Sequence, residues 1–264
     1  MRNSATETQR RRGRLKFLFF LCVSVPLWLM CGCGKENVSI GRDQPETEIK
    51  KCTALIDKKK FEQAIQCLEM FKARFANTAI AQEAELAIGD TYYNKKDYLL
   101  AAESYLAFIK LYPTHPRRDY AHYRAGSSYF KESPEAIDRD QEYLEKAIEQ
   151  LSIVVRRYTS SPYAELAAKE LIEALNRVAR RHFYVGRFYF RTGEYMACLP
   201  RFEEIVQSYP KSGLADRSLY MLTVANLKLK RTDDARLAFS RLSVEYPTSK
   251  WTKKAEGEMR AATK

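Results

Sequence analysis

The chain has 264 residues, with 45 Lys and Arg against 33 Asp and Glu and a formal net charge of +12. Ala, Leu, Glu, Lys and Arg dominate and only 10 Gly and 9 Pro occur, a helix-forming composition with no valine- and threonine-rich alternation long enough for a sheet. The positive balance is not a nucleic-acid signature, because six basic residues precede residue 17 and no later Lys/Arg block is interleaved with aromatics.

The N-terminus is a different object from the rest. Arg10, Arg11, Arg12, Arg14 and Lys16 precede the apolar run FLFFLCVSVPLWLM at 17–30, which contains Pro26 and is short for a membrane span. A basic start followed by a short apolar stretch predicts a signal peptide over 1–32. The following MCGCG resembles a bacterial lipobox, with Gly32 before Cys33. Cys33 is then the lipidated residue, carrying diacylglycerol and an N-acyl chain (palmitate-type) as the only expected attached group. Cys31 is the rival, disfavoured because Met30 is bulky for the cleavage pocket. The other reading is an uncleaved anchor helix. Each buried methylene contributes about 0.8 kcal/mol, so two or three acyl chains anchor a protein durably. Gly34 rather than Asp follows the cysteine, which points to the outer membrane. Cleavage leaves 39 basic and 32 acidic residues, a mild excess. Residues 33–46 lack periodicity and read as a lipidated N-terminus and flexible tether.

From residue 47 to 264 the chain is periodic. Five segments align without gaps, at 61–78, 98–115, 144–161, 195–212 and 232–249. A small residue recurs as Ala64, Ala101, Ala147, Cys198 and Ala235. Four later stand Leu68, Tyr105, Leu151, Phe202 and Phe239. Three after that stand Phe71, Phe108, Val154, Ile205 and Leu242. An aromatic closes each segment: Phe75, Tyr112, Tyr158, Tyr209 and Tyr246. This spacing is one face of a helix. Twelve residues upstream of the small position lie Cys52, Gly89, Gly186 and Thr223. Gly126 takes that part in the third repeat, across a longer gap. A small residue facing a small residue lets two helices cross closely. The small–Tyr–small–aromatic–Pro rhythm is the tetratricopeptide pattern, with Pro113, Pro210 and Pro247 supplying the proline in three of five repeats. The expected fold is all-α, a superhelical solenoid of about five helix pairs with a concave face. Its repeats run about 45–78, 82–115, 119–161, 179–212 and 216–249. The charged loop at 132–142 stretches the third repeat and reads as solvated, a partner contact at its DRD (138–140) being the alternative.

Little chemistry is on offer. His115, His122 and His182 have no His or Cys at ligand spacing, and no phosphate loop or nucleophile motif is present. The expectation is no enzyme, no catalytic residue and no metal site. Cys52, Cys67 and Cys198 are too scattered for a disulfide framework and read as buried small residues, a Cys52–Cys67 bridge being the alternative. What remains is a groove lined by the first helix of each pair. Counting from the glycines, Leu86, Asp90 and Tyr93 of the second repeat and Tyr123 and Ser127 of the third are the candidate peptide contacts, Tyr giving large area with a polar tip. The alternative for Tyr93 and Tyr123 is packing between helices. Arg180, Phe183 and Arg187 hold these positions in the fourth repeat and make that end basic.

The runs YPTHPRRDYAHYRAGSSYF (112–130), IDRDQEYLEKAIEQLSIVVRRYTSSPYAELA (137–167) and RFYFRTGEYMACLPRF (187–202) resemble the BamD (ComL) family of outer-membrane lipoproteins. The resemblance implies a lipid-anchored scaffold on the periplasmic face of the outer membrane, within the β-barrel assembly (BAM) complex. It implies partners: the periplasmic domains of an Omp85-type insertase at the C-terminal repeats, unfolded outer-membrane proteins at the N-terminal ones, and other assembly lipoproteins, with no nucleic acid. Arg201 matches the family's insertase-facing arginine. Departures are Thr159 in place of Pro, and Cys198-Leu199-Pro200 before that arginine, where Pro200 removes one helical hydrogen bond. The competing expectation is a tetratricopeptide lipoprotein of the cell-wall or Tol–Pal machinery, with the same groove and different partners.

Overall fold

The computed structural model describes residues 44–262 except 138 and 140. The expected signal peptide, Cys33 as the expected lipidation site and the expected tether up to residue 43 lie outside the described residues, as do Asp138 and Asp140 of the charged loop. Eleven helices and no strand occur among the described residues. They are α1 (Pro45–Asp57), α2 (Phe61–Arg74), α3 (Ala79–Lys95), α4 (Tyr98–Leu111), α5 (Arg118–Glu132), α6 (Glu142–Arg157), α7 (Ala164–Thr192), α8 (Tyr195–Ser208), α9 (Ala215–Lys228), α10 (Thr232–Glu245) and α11 (Lys250–Ala262). None is long and apolar enough to cross a membrane. Each helix packs chiefly on its chain neighbours, except α11, which packs mainly on α9. This is the quasi-one-dimensional logic of a repeat array.

The recurring columns are the core. Ala64, Ala101, Ala147, Cys198 and Ala235 are all fully buried, as are Phe71, Phe108, Val154, Ile205 and Leu242. In the column between them Leu68, Tyr105, Leu151 and Phe202 are buried and Phe239 is half-buried. The glycines face this middle column rather than the small one. A Cβ at Gly89 would lie 2.8 Å from the Tyr105 ring, at Gly126 2.7 Å from Leu151 and at Gly186 2.9 Å from Phe202. Absence of a side chain on the first helix makes the socket for the large residue of the second.

Both ends of each second helix repeat a device. The closing aromatic is the C-cap. The N–H groups of Phe75, Tyr112, Tyr158, Tyr209 and Tyr246 donate to the carbonyls of Phe71, Phe108, Val154, Ile205 and Leu242. Three residues on, a side chain bonds the backbone leading into the next helix, as a true N-cap at Thr78 and as a turn just before the N-cap at 115, 161 and 212. Thr78 Oγ1 accepts from the N–H of Ala81, Ser161 Oγ from Tyr163, Ser212 Oγ from Leu214 and Ser249 Oγ from Trp251. His115 does the same work in the second repeat, its Nδ1 accepting from the Arg117 N–H at 3.1 Å. That explains a histidine between two prolines. It replaces a hydroxyl and packs its ring against Phe108.

Two expectations are revised and two features of the helices are added. The helical array starts at Pro45, so the last two residues read as tether are the first turn of α1, with proline at its favoured position. Between the expected repeats at 119–161 and 179–212 there is no break: α7 runs for 29 residues and serves both repeats three and four. Cys52 and Cys67 are not separate buried thiols but a disulfide, with Cα atoms 5.4 Å apart, while Cys198 is free and buried. Two helices crossing at small residues bring the pair within bonding reach. Pro200 lies inside α8, which continues through it to Ser208 and forgoes one hydrogen bond, that to the Met196 carbonyl.

The loop between α5 and α6 has an internal organiser that the sequence concealed. Gln141 is buried, and its amide nitrogen lies 3.1–3.3 Å from the carbonyls of Pro134, Ala136 and Arg139. His122 is likewise buried, with Nδ1 2.9 Å from Gln150 Oε1. Burial, more than the neighbouring Arg118 and Arg157, holds its pKa below the ordinary 6.5, and the Gln150 contact only partly offsets this. A depressed histidine binds its proton in the unfolded chain before the folded one. Stability therefore falls as pH drops from about 6.5 through the lower folded value. The expected result is a Tm that declines between about pH 7 and pH 5 and a shallower decline for His122→Gln. Melting curves across that range check it. Equal slopes would remove His122 from the account.

Candidate functional site

Four of the five predicted groove residues meet in one polar seam where α3, α4, α5 and α7 converge. Asp90 is its centre. It accepts hydrogen bonds from Tyr105 Oη at 2.6 Å and from Tyr120 Oη, and Arg124 Nε stands 3.7 Å away. Arg124 donates to Tyr105 Oη at 3.2 Å and lies over the Tyr93 ring at 3.5 Å. Tyr93 Oη meets Ser127 Oγ at 3.2 Å, and Ser127 donates on to Glu170 Oε1 at 3.1 Å. Tyr123 donates to the same oxygen at 3.4 Å and stacks on Tyr163.

The seam has a strong electrostatic character. Burial, then the Asp90 charge, pushes the Tyr105 and Tyr120 phenols up, and Arg124 opposes this. Burial and Glu170 push Tyr123 up to about 12. Burial raises the Glu170 carboxyl above its ordinary range despite the bonds from Ser127 and Tyr123, and its Oε2 is buried without a partner. The phenols therefore act as donors, not as bases. The seam joins repeats two and three and fixes their register.

Its members divide by access. Asp90, Tyr93 and Tyr123 are half-buried and keep an edge toward solvent. Leu86 is 1% exposed, within the core cluster of Tyr105 and Phe108, and offers no groove contact. Ser127 is fully buried and reaches only Tyr93 and Glu170. The count from the glycines placed these residues on the right helix face. It missed that the turn nearer the helix crossing is sealed by the next repeat. Phe183, in the same position as Leu86, is also buried, under the Arg217 guanidinium. Arg180 and Arg187 are exposed and share a face of α7 with Tyr184, Phe188 and Arg191, also exposed. No Asp or Glu occurs between residues 174 and 193.

Arg201 lies apart from the seam, on α8, with its side chain exposed. It borders a cleft of about 230 Å³ between α6, α7 and α8, with Arg181, His182, Gln141 and Glu145 also on its walls. His182 stacks on Tyr209 and its Nδ1 is buried without a partner. Burial first, then Arg201 and Arg181, depresses its pKa. Two guanidinium groups and an imidazole around a small cleft suit a carboxylate, which a planar guanidinium binds bidentately. Arg181 and His182 were not read from the sequence, since only helix phase brings them beside Arg201. Among the described residues no three His, Cys, Asp or Glu side chains converge as metal ligands would.

Comparison with known proteins places this architecture. Outer membrane protein assembly factor BamD of Neisseria meningitidis serogroup B is 30% identical over 207 residues, covering 73% of this chain and 76% of its own. The protein of the same name from Vibrio cholerae serotype O1 is 26% identical, covering 78% of this chain and 90% of its own. Among solved structures, a tetratricopeptide repeat protein from Parabacteroides merdae is similar over 83% of this chain and 73% of its own, at 16% identity and a TM-score of 0.36. The YfiO family, described as outer membrane lipoprotein, matches residues 42–240. With the repeat columns, the helix order and this match running through the same residues, the chain belongs to the YfiO family of outer membrane lipoproteins.

Proposed function

We propose that this chain is a lipid-anchored periplasmic scaffold of the outer-membrane β-barrel assembly machinery. It holds an Omp85-type insertase at its C-terminal repeats and receives unfolded barrel proteins along its first helices. The observation that carries the reading is the family match over nearly the whole repeat array, with relatives named as outer membrane protein assembly factors. Two features support it physically. A Cys52–Cys67 disulfide suits an oxidising compartment such as the periplasm. The surfaces on offer are a cationic cleft and exposed Arg–aromatic helix faces, which suit protein contacts. In this reading Cys33 bears the acyl chains that hold the scaffold on the inner leaflet of the outer membrane. Arg201 is the insertase contact, with Arg181 and His182 shaping its cleft. Asp90, Tyr93 and Tyr123 present the accessible edge of the N-terminal groove. The role is binding, with no catalytic step.

The test is a mild-detergent pull-down of the anchored protein, with partners identified by mass spectrometry. Stoichiometric recovery of the barrel insertase is expected, falling about ten- to a hundredfold for Arg201→Glu, as for a central arginine contact. Recovery of Tol–Pal or cell-wall proteins without the insertase would overturn the function and leave the fold untouched.

A further inference from the structure

The groove on the other side of α8 is open, apolar at its floor, and holds an unsatisfied acceptor. It runs between α8 and α10 over α9, and encloses a cavity of about 190 Å³. That is below the roughly 300–1,000 Å³ of small-molecule sites and matches a side chain better than a free ligand. Leu219 and Leu222 are buried beneath it. Leu237 on its α10 wall is 65% exposed, and Val244, two turns on, is more exposed still. On the opposite wall Met196, Glu203 and Gln207 follow one another at i, i+7 and i+11 on α8, so they share a face. Arg231 spans the groove's end, its Nη1 4.0 Å from Met196 Sδ. Apolar side chains of this size left in water on facing helices mark a contact surface.

The polar groups say what covers it. Asn226 is only 5% exposed and lines the cavity. Its Nδ2 donates to the Leu222 carbonyl at 3.0 Å, which fixes the amide orientation, and its Oδ1 has no partner. A buried acceptor of this kind calls for a donor. A docked helix has few to give along its length, because its backbone N–H groups are bonded internally, whereas an extended segment offers one at every second residue. Charge on the rim is sorted as well. Arg231 pairs with Asp234 and Arg241 with Glu245, while Glu203 makes no ion pair among the described residues. The free charge at the rim is therefore negative, and complements a Lys or Arg on the incoming chain.

We propose that this groove is a second docking site for the assembly partner. It takes an extended segment whose aliphatic side chain fills the cavity between Leu219, Leu222 and Leu237. The segment's backbone N–H donates to Asn226 Oδ1 and its neighbouring Lys or Arg meets Glu203. The inference rests on the scaffold reading, because its occupant is a segment of the insertase that also meets Arg201. The two sites then flank α8, and one partner grips that helix from both sides. Two linked contacts raise affinity well beyond either alone.

The experiment uses the full lipidated chain in detergent and the purified periplasmic region of the Omp85-type insertase as probe. Affinity is measured by calorimetry for wild type, Leu237→Glu, Glu203→Lys and Arg201→Glu. Leu237 and Glu203 are both exposed, so the folded chain tolerates these changes, and melting curves verify that. The expected result is at least tenfold weaker binding for each variant. A photo-reactive amino acid at position 237 should cross-link to a non-helical segment with an aliphatic residue beside a Lys or Arg. Binding within twofold of wild type for both groove variants, with Arg201→Glu weakened, would overturn the second site alone. So would a cross-link to a helix, to lipid or to a second copy of this chain. Absence of binding by wild type would overturn both the scaffold reading and this inference.

Discussion

Asp90→Ala is expected to lower the Tm by about 5–15 °C while leaving the helical content almost unchanged. The argument starts from Tyr105, which is fully buried beneath the Gly89 socket and donates its hydroxyl to Asp90. Without the carboxylate that hydroxyl loses its acceptor, and an unsatisfied buried polar group costs about 1–3 kcal/mol. Tyr120 loses its acceptor too, and Arg124 loses the nearest negative charge while staying largely buried. An uncompensated buried charge adds a further penalty, so a total near 2–4 kcal/mol is a conservative sum. At roughly 2–4 °C per kcal/mol for a domain of this size, the shift follows. The mechanism has a finer signature. Tyr105→Phe in the Asp90→Ala background should recover part of the loss, because removing both partners spares the orphan. Asp90→Asn should lose less than Asp90→Ala, keeping an acceptor without the charge. Thermal melts of the four proteins decide it. If the double variant is no better than Asp90→Ala, the cost lies with Arg124 instead.

How far the sequence reaches is visible in this same cluster. The columns of small and large residues are local, and a helix face can be read at i, i+4 and i+7. Burial of Ala101, Tyr105 and Phe108 was therefore legible without any structure. Asp90, Tyr93 and Ser127 were legible as residues of one face, but their bonds cross from one repeat to the next. Tyr93 to Ser127 spans 34 residues and Asp90 to Tyr120 spans 30. Those contacts depend on how far each repeat is rotated against its neighbour, which helix periodicity does not encode. The same rotation seals Leu86 under repeat three while leaving Tyr123 half-open. The turns that lead into the helices were a different case. Thr78, His115, Ser161, Ser212 and Ser249 already stand in one column, and three of the five are serine. Their shared job was hidden because histidine is seldom weighed as a turn acceptor in place of a hydroxyl. The continuity of α7 was likewise present as the lack of any proline between residues 163 and 199, overridden by the repeat template.

The Cys52–Cys67 disulfide makes the last prediction, and its effect should be confined to one end of the array. The bridge ties α1 to α2, and α1 otherwise rests on α2 and α3 with few buried side chains. Only Glu48 and Cys52 are buried within it, and Glu48 reaches Arg74 of α2 at 2.8 Å. A terminal repeat has one neighbour instead of two, so it forfeits an interface that every inner repeat enjoys. Closing a chain segment of 15 residues by a cross-link is worth about 3 kcal/mol in chain entropy. In Cys52→Ser/Cys67→Ser, α1 should open locally about a hundredfold more often, which native-state hydrogen exchange reads directly as lost protection. Amides of α9 and α10 should exchange at the wild-type rate, because opening at one end of a linear array need not travel. Uniform acceleration along the chain would mean that the array unfolds as a single unit and that the bridge guards all of it. Loss confined to α1 and α2 would identify the disulfide as the clamp that keeps the first repeat formed.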